Sequence, residues 1–265
     1  SAVFAALFGT PLTATLFALE VISVGVIYYS ALVPCIVASL FALEIASLFG
    51  IAPTHFDVII EPVSELMLLK VSVLAIVCSL MSTMFCLSMH KTEHLFAKLI
   101  KNPYLRIAAG GAIVVLITAI LGTGDYNGAG MNIIKRTIEE GQAKPDAFFW
   151  KLILTAITIG CGFKGGEVVP TFFIGATLGC VLGSLLGIPA GFAAAIGLIC
   201  VFCGAVNCPV ASIVLSIELF GSTDLVYFAL ACGIAYMLSG YFGLYSSQKI
   251  MYSKLRAEFI NIHAK

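Results

Sequence analysis

What this chain has least of is charge. Only 11% of its 265 residues are charged, against 60% hydrophobic ones, and the mean hydropathy is +1.08. A soluble domain carries roughly a quarter charged residues, so the deficit excludes an ordinary aqueous surface and leaves most of the exterior to lipid. The charges that remain cancel, 14 basic against 14 acidic, which excludes the basic footprint that nucleic-acid binding requires. Paired cysteine motifs are scarce as well. The nine cysteines mostly stand singly in apolar runs, as at Cys35, Cys78, Cys86 and Cys180, and the Cys200/Cys203 pair has no second pair or histidine near it. They read as small buried apolar residues, not as a disulfide or zinc framework. A basic lead-in is also missing. Ser1-Ala2-Val3-Phe4 is apolar from the start and the hydrophobicity continues to Phe49, so a secretory signal is not the expected reading of this stretch. The expectation is that the chain is cut from something longer and starts inside a helix.

What is present is a series of apolar runs with many breaks. Residues 12–29 follow Phe8-Gly9-Thr10-Pro11 and carry Glu20, while residues 30–49 carry Pro34 and Glu44. Glycine and proline inside such runs suit membrane helices better than soluble ones. A loop at residues 50–62 holds Pro53, His55, Asp57, Glu61 and Pro62 without a lysine or arginine. Residues 63–89 are long enough to span. Residues 90–106 then bring Lys91, Lys98, Lys101 and Arg106 against Glu93 alone, so the positive-inside rule makes this loop cytoplasmic and the 50–62 loop external. Further apolar segments fall at 107–121, 146–159, 188–206, 208–220 and 224–244, with a polar amphipathic piece at 131–140. Residues 246–260 read as an amphipathic helix leaving the membrane on the basic side. About nine or ten helical segments result, several shorter than the roughly 20 residues a crossing needs. The fold class expected is therefore all-α: a polytopic membrane protein of broken, tilted helices, one transmembrane domain over residues 1–265.

One break is unlike the others. Gly160-Cys161-Gly162-Phe163-Lys164-Gly165-Gly166-Glu167-Val168-Val169-Pro170 places a lysine, a glutamate and several glycines between the apolar runs 147–159 and 171–186. Pro170 suits a first helical turn, having no amide hydrogen to orphan. The residues before it then offer unpaired N–H groups at the positive end of a helix dipole, which together make an anion site. Irregular backbone at membrane depth must line a cavity or be buried in protein, and helix N-termini aimed at an anionic substrate are a transporter device.

The second signal is an internal repeat. Phe8-Gly9-Thr10-Pro11 leads to Glu20, and Val206-Asn207-Cys208-Pro209 leads to Glu218; in both, a small-residue apolar helix separates the proline from a glutamate at the same spacing. Two such units far apart in the chain mark duplicated halves and an inverted-repeat architecture. Both glutamates are expected to satisfy helix-end or interhelix hydrogen bonds.

These motifs resemble the CLC family of chloride channels and anion/proton exchangers. Gly166-Glu167-Val168-Val169-Pro170 sits where that family has its G-x-F-x-P anion-filter segment, and residues 8–20 look like its N-x-P-L-x-G-x-x-F-x-x-E helix. Gly243-Leu244-Tyr245-Ser246 resembles the tyrosine segment that opens its last membrane helix. The resemblance covers essentially the whole chain and matches the later part of a family member, so the first filter segment and the gating glutamate would lie upstream of Ser1. It implies an anion held by the amides of Gly166, Glu167 and Val168 and by Tyr245, with Glu167 also coupling protons. Lys164 would be a counter-ion to Glu167 or a basic group at the pore mouth. Exchangers of the family carry a second glutamate directly after the one matching Glu20, where this chain has Val21. The string from Gly162 to Val168 looks like the fluoride/proton antiporter branch, which often has threonine where this chain has Val169. Implied partners are a halide (fluoride or chloride), protons, the lipid bilayer of a bacterial inner membrane and a second copy of the chain; no cofactor, metal or nucleic acid is implied. Small residues at Ser23, Gly25, Ala38, Ser39, Ala211, Ser212 and Ser216 are expected to let helices approach across the dimer axis.

Two readings from other classes compete. His90-Lys91-Thr92-Glu93-His94 spells H-x-x-E-H, the pattern of inverted zincins, but its place in a basic loop reads as a solvated linker, and no enzyme is expected. A structural fragment without transport of its own is the other. A voltage- or pH-gated channel is the alternative within the family.

Overall fold

The computed structural model describes residues 1–59 and 62–265; Glu61, placed above in the outer loop, lies outside them. Eleven α-helices stand among the described residues: α1 (Ala2–Phe8), α2 (Pro11–Glu20), α3 (Leu32–Leu48), α4 (Glu65–Leu99), α5 (Pro103–Leu121), α6 (Met131–Glu139), α7 (Ala147–Gly160), α8 (Val168–Leu186), α9 (Ala190–Val206), α10 (Pro209–Phe220) and α11 (Leu225–Leu238). Three strands complete the fold, β1 (Ser23–Val24), β2 (Lys249–Tyr252) and β3 (Phe259–His263). Among the described residues, four segments are long and apolar enough to cross a membrane: Tyr29–Leu48, α4, α5 and α8. Helices α7, α9, α10 and α11 are apolar but too short for an unaided crossing. Large apolar side chains stand outward on α3 and α5, among them Val33, Phe41, Val115 and Ile120, a surface suited to lipid or to another apolar helix and not to water.

The core is built on α8 and α9. Every residue of α9 from Phe192 to Val206 is buried, and it packs antiparallel on α8 after the short turn at Gly187-Ile188-Pro189. Gly175 and Gly179 make the approach possible. A Cβ on Gly175 would strike the Gly197 carbonyl, and one on Gly179 the Ala193 carbonyl. Small residues at such spacing let helix backbones touch and gain dispersion contacts in a medium where lipid supplies no hydrophobic drive. All nine cysteines are free, and only Cys35 is not fully buried.

The repeated proline–glutamate helices pair with each other. Glu218, at the end of α10, accepts hydrogen bonds from the amides of Leu12 (3.0 Å) and Thr13 (2.8 Å) at the start of α2. Glu20, at the end of α2, accepts from Val210 (3.3 Å) and Ala211 (2.9 Å) at the start of α10. In both helices proline takes the first position, which needs no partner, and the opposite carboxylate takes the next two amides. The shared spacing thus has a physical cause: two antiparallel helices with the same span from proline to glutamate put each glutamate at the other's N-terminus, where the dipole also favours negative charge.

Several expectations are corrected. The run 12–29 is not one helix, because α2 stops at Glu20 and Ser23–Val24 pairs parallel with Lys249–Ile250. Residues 246–260 form no helix. Lys249-Ile250-Met251-Tyr252 form β2, which pairs antiparallel with β3, and Ile250 packs with Val24 and Ala264 in a small separate core. The final apolar segment ends at Leu238, six residues short of Leu244. Residues 90–99 are not linker but the last turns of α4, whose 35 residues reach about 50 Å. The small residues Ser23, Ser39, Ala211, Ser212 and Ser216 are buried within the chain, so they serve internal packing and leave larger side chains on the outer face.

Removing either carboxylate leaves two amides of a buried helix start unsatisfied. Glu20→Ala and Glu218→Ala are each expected to cost about 3 kcal/mol, the scale of charged hydrogen bonds, with Glu20→Gln milder because one acceptor oxygen remains. The midpoint of unfolding in mixed detergent measures this.

Candidate anion site at a broken helix

Helix α7 ends at Gly160, where close packing demands glycine: a Cβ there would stand 2.8 Å from Thr92 Cγ2 and 3.0 Å from the Glu93 amide nitrogen. Gly162 then turns the chain with φ +113°, a region open to glycine. Coil runs to Glu167, the N-cap of α8, whose side chain makes no capping bond. Pro170 lies in the first turn as expected, although the helix begins two residues earlier, at Val168. Among the described residues, the amides from Lys164 to Val169 find no acceptor in the protein. A Cβ added at Gly165 or Gly166 would meet nothing within 4 Å, so this backbone faces open space.

Two cavities flank the break. The first, about 230 Å³, is lined by Glu167 and Tyr245 together with His90, Glu93, Gly160 and Ser246 among others. The structure thus joins two of the residues singled out in the sequence, although they lie far apart in the chain. The Tyr245 hydroxyl has no hydrogen-bond partner among the described residues. Its segment is held by a polar hub around Asn207, which ends α9 with φ 59°. Asn207 Nδ2 donates to the Phe242 carbonyl (2.9 Å) and to Gln248 Oε1 (2.9 Å). Gln248 Nε2 donates to the carbonyls of Val21 (2.8 Å) and Val206 (2.9 Å). Lys254 Nζ donates to Asn207 Oδ1 and to Ser239 Oγ.

The second cavity, about 420 Å³, is lined by Gly165, Gly166, Val169 and Pro170 on one side and by Lys151, Thr155 and Tyr126 on the other. Lys151 is 1% exposed. Its ammonium donates to the carbonyls of Tyr126 (3.2 Å) and Gly128 (2.5 Å), and it lies 5.0 Å from the centre of the Phe173 ring. No carboxylate pairs with it among the described residues, so a buried amine held by neutral carbonyls stands beside the open amides. Val168 is half-buried at the helix start. Lys164 is exposed and lines neither cavity, and no ion pair joins it to Glu167 among the described residues.

Two of these groups escaped the sequence reading. Lys151 is a single charge in an apolar run, a signal that defaults to function, but the carbonyls that hold it come from a loop more than 20 residues earlier. His90 was assigned to solvent; it is partly buried, with Nε2 2.9 Å from the Gly243 carbonyl. Its spacing to Glu93 puts both on one face of α4, which the sequence displayed without indicating what that face meets. The described residues bring no cluster of three potential metal ligands together.

The loop that holds Lys151 is pinned outside the spans by Lys144, whose Nζ stands 2.7 Å from Asp125 Oδ2. That hydrogen bond holds the Asp125 carboxyl below the usual aspartate range. The contribution is therefore complete above that range and is lost as pH falls through the depressed value. Acidification is expected to loosen residues 122–130, read as a severalfold rise in limited proteolysis there that Asp125→Asn shows already at neutral pH.

Comparison with known proteins places this geometry. The family model described as voltage gated chloride channel matches residues 1–240. A chloride/fluoride channel protein of Pseudomonas syringae pv. tomato is 38% identical over 261 residues, covering 96% of this chain and 58% of the relative. A voltage-gated ClC-type chloride channel of Citrobacter koseri is 24% identical, covering 89% of this chain and 59% of the relative. Among solved structures, a CLC-type fluoride/proton antiporter superposes with a TM-score of 0.89 at 32% identity, over 92% of this chain and 62% of that one. A slow cyanobacterial Cl⁻/H⁺ antiporter shares the fold at a TM-score of 0.71 and 19% identity, over 89% of this chain and 58% of that one. The chain thus spans less than two thirds of the length of these relatives. With a family model matched over nearly its whole length and the fold reproduced, this chain belongs to the voltage-gated chloride channel (CLC) family of integral membrane proteins.

Proposed function

We propose that the complete protein exchanges fluoride for protons across a bacterial inner membrane, holding the halide at the start of α8. The observation that carries this is the shared cavity of Glu167 and Tyr245 beside amides that have no acceptor in the protein. Those amides, from Gly166 to Val168, supply hydrogen bonds along the positive end of the helix dipole, and the free Tyr245 hydroxyl supplies another. Lys151 adds positive potential from the far side. Fluoride is small and strongly hydrated, so leaving water requires many donors, and polar groups rather than an apolar lining suit it. An ionised Glu167 competes with the halide for the same donors, so anion arrival favours protonation or outward swing of the carboxylate. Anion and proton binding then share one coupling free energy, as exchange requires. Similarity to a chloride/fluoride channel protein and to a fluoride/proton antiporter supports the substrate class.

In liposomes holding the full-length protein, fluoride efflux is expected to exceed chloride efflux and to drive protons the opposite way. Glu167→Gln is expected to keep fluoride flux while losing the coupled proton movement. Fluoride and chloride electrodes with an internal pH probe check both. Equal chloride efflux rejects the fluoride assignment, and proton-free fluoride flux in the unmodified protein favours the channel.

The proposed protein partner is a second copy, met through the outer faces of α3 and α10. Val210 is exposed, and Val214 and Ile217 are partly so. Single cysteines at these positions are expected to crosslink in membranes, and a cysteine at Val115 on α5 is not. The reverse pattern on a denaturing gel rejects this interface.

A further inference from the structure

Tyr245 stands between two cavities of different chemistry. One, about 380 Å³, is lined by Phe17, Val21, Ile22, Ser247 and Gln248 besides the tyrosine, and apart from the phenol none of these exchanges a proton. The other holds Glu167, His90 and Glu93. Only this second cavity continues from Glu167 toward solvent through titratable groups. Glu93 is exposed, His90 is partly buried one helical turn away, and Glu167 is partly buried at the inner end. Imidazole is the side chain whose ordinary protonation equilibrium lies nearest neutral pH, which makes it the usual proton carrier.

We propose that His90 passes protons between the solvent-exposed mouth at Glu93 and the carboxylate of Glu167. This rests on the fluoride/proton exchange proposed above. One nitrogen of the ring is held by backbone. Nε2 lies 2.9 Å from the Gly243 carbonyl, an acceptor only, so Nε2 keeps its hydrogen in both protonation states and Nδ1 is the atom that gains and loses a proton. Gly243 belongs to the segment that carries Tyr245 and is itself tightly enclosed, since a Cβ there would stand 2.8 Å from Asn207 Nδ2 and 3.0 Å from Gln248 Oε1. The anion ligand and the proton carrier are therefore set by one piece of backbone.

The step balances simply. A proton from water on the Glu93 carboxyl moves to Nδ1, giving an imidazolium, and then to Glu167, which becomes a neutral acid and leaves the imidazole neutral. Release runs in reverse, and the cavity has room for bridging water. The other groups around His90 are few. Cys86, Glu93 and His94 lie on its own helix, Glu167 comes from α8 and Tyr245 from the C-terminal segment, with Lys254 behind them on Asn207 and Ser239. The α7 residues Ile159 and Gly160 bring no charge.

The test is His90→Gln in the full-length protein in liposomes, since glutamine keeps an N–H for the Gly243 carbonyl but does not titrate. Coupled proton and fluoride movement is expected to fall by about tenfold or more, within the range general acid–base groups supply. The pH dependence between about pH 5 and 8 is expected to flatten, and added imidazole to restore part of the rate. A merely structural role would give neither the flattening nor the rescue. A wild-type rate and pH profile in His90→Gln overturns the relay. Absence of proton coupling in the unmodified protein instead defeats the exchange reading itself. Should His90→Gln fail to assemble, Glu93→Gln at the exposed mouth decides: a severalfold slower proton movement supports the relay, and an unchanged rate overturns it.

Discussion

A helix that starts or stops inside lipid has backbone groups that water cannot reach, and the fold is organised by how it deals with them. Helices α2 and α10 solve the problem for each other. Each begins with a proline that removes one donor, and each offers a terminal glutamate to the next two amides of its partner. Apolar residues of similar volume could match the packing but not this satisfaction, because an orphaned amide in hydrocarbon costs several kcal/mol. The same constraint makes α8 conspicuous. Its proline comes later in the first turn, no side chain caps it, and its glutamate stands next to the open amides without bonding them. In α2 and α10 the helix start is closed by a carboxylate, whereas that of α8 has no side-chain cap.

What keeps that start open is the stiffness around it. Gly175 and Gly179 bring α8 against α9 at backbone contact, so the helix cannot slide to bury its own end. Gly160 fixes the end of α7 on α4 beside Glu93, and the Asn207–Gln248 hub locks the segment bearing Tyr245 to the end of α9. Lys151 is held by two carbonyls of the 122–130 loop. A buried cation with neutral partners keeps its field, whereas a carboxylate neighbour would cancel it. The break therefore combines free amides, a free phenol and a buried lysine with neutral partners, each held in place by groups remote in sequence.

Much of this was legible before any coordinates. The charge deficit determined the solvent, because 11% charged residues cannot cover an aqueous surface. The glycine-rich break before Pro170 determined where a helix begins, since glycine and proline act through local backbone geometry. The spacing from Pro11 to Glu20 and from Pro209 to Glu218 displayed the paired helices, and family resemblance singled out the Glu167 and Tyr245 segments, which meet at one cavity.

Other features were decided only by tertiary contact. Residues 246–260 carry an amphipathic pattern that reads as helix, and what selects strand at Lys249–Tyr252 is pairing with Ser23–Val24, more than 220 residues earlier in the chain, and with β3. The lysines after Met89 suggested a loop, yet α4 continues because its far face, with Thr92 and Glu93, packs on Gly160. Small residues such as Ser39 and Ala211 announced close helix packing but not with which neighbour, and they are consumed inside the chain. His90 and Lys151 were visible as residue types, and their meaning lay in carbonyls from Gly243, Tyr126 and Gly128. Composition and local backbone chemistry act through adjacent residues and can be read in one dimension. Which buried polar group finds which partner depends on distances that exist only once the helices have packed.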